Sequence, residues 1–116
     1  MATYTKILLS GSTNGKGIKV VQTATAGTTI HTAVAGTSAW DEIWLYAVNS
    51  STSNVKLTLE WGEATAPDGN IEGVIDAESG LYLIVPGLLL QNGLVVKAFA
   101  ATANVIIIHG FVNRIT

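Results

Sequence analysis

Turn-forming residues interrupt this chain about every 8–15 residues, a spacing typical of short strands in a sandwich or a barrel. The segments between the turns are rich in Val, Ile and Thr, whose branched side chains favour extended backbone. Asn14-Gly15 and Asn92-Gly93 supply the positive φ angles that tight turns require. The sequence therefore predicts eight or nine strands, at 4–9, 18–23, 28–35, 42–49, 54–61, 71–76, 81–85, 94–100 and 104–115.

The segment 38–47 also permits a helical interpretation. Ser38 followed by Asp41 resembles a capping box, and Trp40, Ile43, Trp44 and Ala47 recur at helical spacing. The run from 43 to 48 is rich in strand formers and leads into a hairpin loop. We therefore predict a strand here.

The length and composition indicate one domain, 1–116, with little charge for its size. The 116 residues are 48% hydrophobic but only 12% charged, about half the charged share of an ordinary soluble domain. The net charge of −2 comes without a basic run, so we expect no nucleic-acid partner. Without cysteine, disulfides and thiolate chemistry are excluded. We expect no membrane partner, since no apolar run approaches the ~20 residues of a membrane helix.

Two strands are apolar on both faces, and this predicts contact with other subunits. The strand at 54–61 alternates between apolar and polar residues, which predicts one inward face and one wet face. The strands at 42–49 and 104–115 do not alternate in this way. With no helix to cover the second face, a sister subunit is the preferred explanation. The predicted oligomer-interface residues are Ile43, Trp44, Tyr46, Val48, Ile106, Ile108 and Val112, and Trp44→Asp or Ile106→Asp is expected to dissociate the oligomer.

The sequence shows no constellation that predicts catalysis. The loop at 10–17 lacks the first Gly and the final Ser or Thr of a Walker A motif. His31 and His109 have no metal-ligand spacing to a carboxylate, and His109 is interpreted as a core or interface histidine. Asp41 and Glu42 are neighbours on a strand and so point to opposite faces. We predict no enzyme activity, no catalytic residue, no metal site and no cofactor.

The tryptophans leave a binding hypothesis open. Trp40, Trp44 and Trp61 could stack on sugar rings, although Trp61 is in phase with the predicted core. Lys97 and Arg114, both inside apolar strands, could pair with Glu60 or Glu72 across an interface or protect a sheet edge.

Several segments together resemble small virion proteins of tailed bacteriophages, in particular capsid decoration (cement) proteins. They are 44–49, a Ser/Thr loop, 55–62, 88–93, 98–101 and 105–112. The resemblance covers nearly the full chain as a pattern and carries no diagnostic motif. It implies a jelly-roll-like antiparallel β-sandwich that forms a homotrimer, binds the major capsid protein on the outer capsid surface of the virion and stabilises the shell. The protein would be made in the host cytoplasm.

The capsid contact is expected in the N-terminal segment and in turns, because loops and termini often carry recognition on rigid sandwiches. The candidate residues are Thr3, Tyr4, Lys6, Asn14, Lys16, Asp68 and Asn70. Two alternatives remain open: a carbohydrate-binding β-sandwich, and another head or tail assembly protein of the phage.

Overall fold

The computed structural model describes residues 2–116, which form nine strands and no helix. The all-β prediction is confirmed. The strands are β1 (Tyr4–Ile7), β2 (Ile18–Lys19), β3 (Thr28–Thr32), β4 (Trp40–Asn49), β5 (Val55–Trp61), β6 (Asn70–Ile75), β7 (Tyr82–Leu90), β8 (Val95–Ala100) and β9 (Ile106–Ile115).

The strands form two antiparallel sheets that pack together as a β-sandwich, as predicted. The five-stranded sheet has the order β1-β9-β4-β7, and β2 also pairs with β9. The four-stranded sheet has the order β3-β8-β5-β6. The inner faces of both sheets meet in one apolar core, to which β4 contributes Ile43, Leu45 and Ala47.

The segment that permitted a helical interpretation is a central strand. β4 pairs with β9 over its full length, from Trp40 opposite Ile115 to Asn49 opposite Ile106. Its other side pairs with β7. Burial alternates residue by residue along β4, as expected of a strand with one face in the core. Pairing on both sides satisfies the backbone polar groups that a helix would otherwise have satisfied internally.

The two edges of the sandwich differ. At the edge formed by β1, β2 and β3, the chain after β1 crosses between the sheets. The amide of Gly11 donates to the carbonyl of Ile30 at 2.9 Å, and the amide of Ser10 donates to Nδ1 of His31 at 3.0 Å. At the opposite edge, β6 and β7 are the last strands of their sheets, and a cleft opens between them.

Four residues of the predicted oligomer interface lie in the protomer's own core, so their assignment is corrected. Ile43, Ile106, Ile108 and Val112 are fully buried between the two sheets. Sequence alternation showed that β4 and β9 are apolar on both faces but not which face meets the second sheet. The register places these four inward, and they cannot contact a sister subunit.

The prediction of one wet face on β5 is also wrong in part. Thr58 and Glu60 are buried, although they alternate with the core residues. The loop between β2 and β3 covers this end of the outer face. The carboxylate of Glu60 accepts hydrogen bonds from the hydroxyl of Thr25 and from the amide of Gly27. The alternation of polar and apolar residues along a strand does not reveal whether a loop elsewhere in the chain covers that strand.

Candidate functional site

The outer face of the five-stranded sheet is largely apolar and has no second layer over β4. Three residues of the predicted interface, Trp44, Tyr46 and Val48, lie half-buried on this face. On β9, their cross-strand neighbours are Phe111, His109 and Ile107. On β7, Pro86 lies opposite Trp44, and Leu83 lies opposite Tyr46. The result is a broad surface of aromatic and branched side chains.

Trp44 is held flat on this surface by its neighbours. Its ring stacks beside that of Phe111, with centroids 6.0 Å apart and planes inclined by 10°. Its Nε1 donates a hydrogen bond to Oε1 of Glu42 at 2.8 Å. The ring edge lies over Gly87, where an added Cβ would come within 2.9 Å of it. The indole is therefore fixed in position, with its polar atom satisfied by its own sheet.

A polar row of Lys6, Asn113 and Glu42 crosses the same face. The side-chain amide of Asn113 donates to Oε1 of Glu42 at 3.0 Å. The hydrogen bonds from Trp44 and Asn113 lower the pKa of Glu42 despite a small opposing effect of burial. The ammonium of Lys6 lies 4.9 Å from the centre of the Phe111 ring, a cation–π arrangement.

The three lysines among residues 1–40 border this face. Lys19 lies opposite Ile107 in the register and is exposed, and Lys16 is exposed in the loop before β2. Gly17 follows Lys16 and packs against Ile107 and His109, which brings this loop onto the face. Among residues 1–40 there are three lysines and no acidic residue. Glu42 is thus an acidic side chain on a face that is bordered mainly by lysines.

The β6–β7 edge carries the opposite charge together with exposed apolar side chains. Val74, Tyr82 and Leu83 are 57%, 48% and 44% exposed, respectively. Residues 57–96 include six acidic and no basic side chains. The cleft between the sheets at this edge has a volume of about 250 Å³ and is lined by Leu57, Leu59, Ile71, Ile75 and Ile84 among others.

The predicted capsid-contact residues do not form one surface. Thr3, Tyr4 and Lys6 lie on or beside β1, and Asn14 and Lys16 lie in the exposed loop that follows it. Asp68 and Asn70 lie at the start of β6, on the opposite side of the sandwich. The first five could contact one partner surface together, whereas Asp68 and Asn70 would need another.

A buried polar network inside the sandwich was missed by the sequence analysis. Nε2 of His31 lies 2.7 Å from Oδ2 of Asp41, and the guanidinium of Arg114 donates to both oxygens of Asp41 at 2.8 and 2.9 Å. The amide of Val34 donates to the same carboxylate at 3.0 Å. Since Nδ1 of His31 accepts from the amide of Ser10, the ring is neutral and carries its proton on Nε2.

The chemistry available to this network is limited by its burial. His31 is 1% exposed and Asp41 is fully buried, so neither side chain is accessible from the surface of the protomer. The hydroxyl of Ser10 accepts from the amide of Thr32 instead of facing the imidazole. The network therefore joins β3, β4 and β9 and does not present a nucleophile.

Arg114 and Glu72 form ion pairs within the chain. Arg114 pairs with Asp41 within the chain, and Lys56 pairs with Glu72 at 3.1 Å on the surface. Lys97 is half-buried opposite Glu60. The alternation of Asp41 and Glu42 follows the prediction, with Asp41 inward and Glu42 outward.

The three tryptophans do not converge on one site. Trp40 is 42% exposed at the start of β4, and Trp44 lies four residues further along the same face. Trp61 is in the other sheet, packed against the core. Within residues 2–116, no three His, Asp or Glu side chains are grouped as metal ligands would be. The same residues contain no helix long and apolar enough to span a membrane.

Comparison of the chain with protein-family models, with curated proteins and with solved structures found no match.

Proposed function

We propose that this protein is a capsid decoration protein of a tailed bacteriophage, a non-enzymatic virion component that binds the major capsid protein as a homotrimer and stabilises the shell. The observation that carries the proposal is the apolar outer face of the five-stranded sheet around Trp44, Tyr46 and Val48. A contiguous apolar surface of this kind is characteristic of a protein–protein contact.

Nested strand pairing supports the finer fold expectation, a jelly roll. β1 and β2 pair with β9, β3 pairs with β8, β4 pairs with β7, and β5 pairs with β6. The chain therefore resembles one long hairpin rolled into two sheets, which is the arrangement of a jelly roll. A rigid double-sheet body suits a component that has to present fixed surfaces.

The mechanism of shell stabilisation is multivalent. A trimer can match the three-fold positions of an icosahedral lattice, so one particle presents three identical contacts at once. Three modest contacts on a rigid body give an avidity that one contact does not reach. The exposed residues Thr3, Tyr4 and Asn14 are the proposed shell contact, since they share one side of the sandwich.

We propose a non-enzymatic protein because its carboxylates form hydrogen bonds with other groups of the fold. The buried carboxylate of Asp41 accepts hydrogen bonds from Val34, His31 and Arg114. Its role is to hold strands together. Glu42, on the outer face, accepts from Trp44 and Asn113.

Native mass by light scattering across a hundredfold dilution tests the oligomeric part of the proposal. We expect three times the chain mass of 12.1 kDa, and we expect Trp44→Asp to dissociate the particle because it places an unpaired charge in the contact. Co-sedimentation with capsids assembled from the major capsid protein of the same genome tests the shell contact. A dilution-resistant monomer, or a trimer that stays in the supernatant, would contradict the proposal.

A carbohydrate-binding function is the second candidate, favoured by the aromatic pair Trp44 and Phe111 beside Glu42 and Asn113. Stacked rings next to carboxylate and amide groups suit the faces and hydroxyls of a sugar. Titration of the tryptophan fluorescence with monosaccharides and host-wall oligosaccharides tests this candidate. Saturable quenching that is lost in Phe111→Ala would support it, and an unchanged spectrum would reject it.

A further inference from the structure

Two surfaces of this chain are complementary to each other but cannot meet within one protomer. The acidic edge is defined here as Val74, Asp76, Glu78 and Tyr82, on β6, β7 and the turn between them. The basic face is defined as Lys6, Lys16, Lys19, Trp44, Tyr46 and Phe111, on the outer side of the five-stranded sheet. Each surface combines exposed apolar side chains with one predominant sign of charge.

We propose that the acidic edge of one copy of this chain docks on the basic face of the next copy. This assignment rests on the self-association in the proposed function and specifies the contact that would produce it. Aromatic side chains on one surface and Val74 and Tyr82 on the other supply apolar area to bury. Opposite charges around that area orient the two copies and disfavour contacts between like surfaces.

The acidic edge is built to meet a partner through side chains and not by adding a strand. The pairing of β7 with β4 shifts register near Ile84 and again near Gly87, which marks two bulges, and Pro86 lacks an amide hydrogen. Such features prevent an edge strand from pairing regularly with another chain. Beside them, Gly73 leaves open space where a side chain would stand. The edge is thus shaped as an apolar cleft with an acidic margin.

The geometry of the two surfaces favours a closed particle. An edge and a face of one sandwich are roughly perpendicular, so each head-to-tail contact turns the next copy by a large angle. Repeated contacts of this heterologous type close into a ring where the rotations between successive copies add up to a full turn, and they extend into an open chain where they do not. A ring of three is the closure that the proposed decoration function requires.

Charge reversal on each surface tests the contact. K16E/K19E makes the basic face acidic, and D76K/E78K makes the acidic edge basic; all four positions are exposed. Each variant alone should be monomeric at concentrations at least about tenfold above those at which the wild type dissociates, because like charges then face each other. The quadruple variant K16E/K19E/D76K/E78K should form the trimer again, since every edge then meets a face of opposite charge. T37E/S38E, in the exposed β3–β4 loop outside both surfaces, should keep the wild-type mass.

Native mass and circular dichroism distinguish the outcomes. Monomeric charge-reversed variants with wild-type spectra, together with a quadruple variant that forms the trimer again, support the edge-to-face contact. A wild-type trimer that both variants retain would overturn this contact and leave the decoration function standing. A wild type whose mass grows without limit with concentration, and whose growth the variants abolish, would support the contact and reject the trimeric decoration function. A wild-type monomer at every concentration would reject both.

Discussion

Asp41 and His31 meet in the interior of the sandwich, with Oδ2 of the carboxylate 2.7 Å from Nε2 of the imidazole. They come from neighbouring strands in sequence that belong to different sheets, β4 and β3. Arg114 on β9 closes the network from the far end of the chain. This contact is therefore a polar link between the two layers, inside a core that is mostly apolar.

Neutralising Asp41 should destabilise the fold strongly. Asp41→Asn keeps the side-chain shape but leaves Arg114 without its counter-charge, and we expect the free energy of unfolding to fall by about 3 kcal/mol. Urea denaturation followed by circular dichroism measures this change. Glu42→Gln is the matched control on the next residue, outside the core, and should change stability by less than about 0.5 kcal/mol. Equal effects of the two changes would contradict a special role for the buried carboxylate.

Acid should weaken the protein through the same carboxylate. Burial raises the pKa of Asp41, but the hydrogen bonds from Arg114 and His31 and the charge of Arg114 outweigh it, and the folded pKa lies below the ordinary value of 3.8. A lowered folded pKa adds stability that is fully present above the unfolded value and is lost as the pH falls through the folded value. The urea midpoint should therefore fall as the pH drops below about 4. In Asp41→Asn this decline should be smaller, and an identical decline would contradict the assignment.

Two aspartate substitutions should separate the core of β9 from the outer face of β4. Ile106→Asp places an unpaired charge between the sheets and should cost more than about 4 kcal/mol, so that the chain unfolds. Trp44→Asp places the charge on the outer face, where the protomer remains folded. Circular dichroism and light scattering together measure the difference. A folded, monomeric Ile106→Asp variant would contradict the inward register of Ile106.

A methyl group should be tolerated at one strand glycine and not at another. A Cβ on Gly110 would overlap the backbone carbonyl oxygen of Trp44 on the adjacent strand, so Gly110→Ala should destabilise the protein by about 3 kcal/mol or more. Gly73 has open space around the same position, and Gly73→Ala should be neutral or stabilising by up to about 1 kcal/mol. Thermal denaturation of both variants checks this, and a Gly110→Ala protein as stable as the wild type would contradict the close approach of β4 and β9.

The strands themselves could be predicted because their signals are local. Branched side chains favour extended backbone within each segment, and turn residues mark where a segment ends. The positive φ angles of Asn14 and Asn92 occur in the turns that the sequence predicts. The largest difference is β7, predicted to end at residue 85. It continues through Pro86 and Gly87 to Leu90, because bulges accommodate the missing amide hydrogen at a sheet edge.

What the sequence alone determined is the all-β class, the number of strands and the two strands that are apolar on both faces, since each depends on neighbours within a few residues. Tertiary structure decided which of those faces became the core, and so moved Ile106 and Ile108 inside and left Trp44 and Tyr46 outside. It also brought His31, Asp41 and Arg114 together and covered Glu60 with a loop. These outcomes depend on strand order and on register between residues that are distant in the chain, such as Asp41 and Arg114, 73 positions apart, which no local pattern specifies.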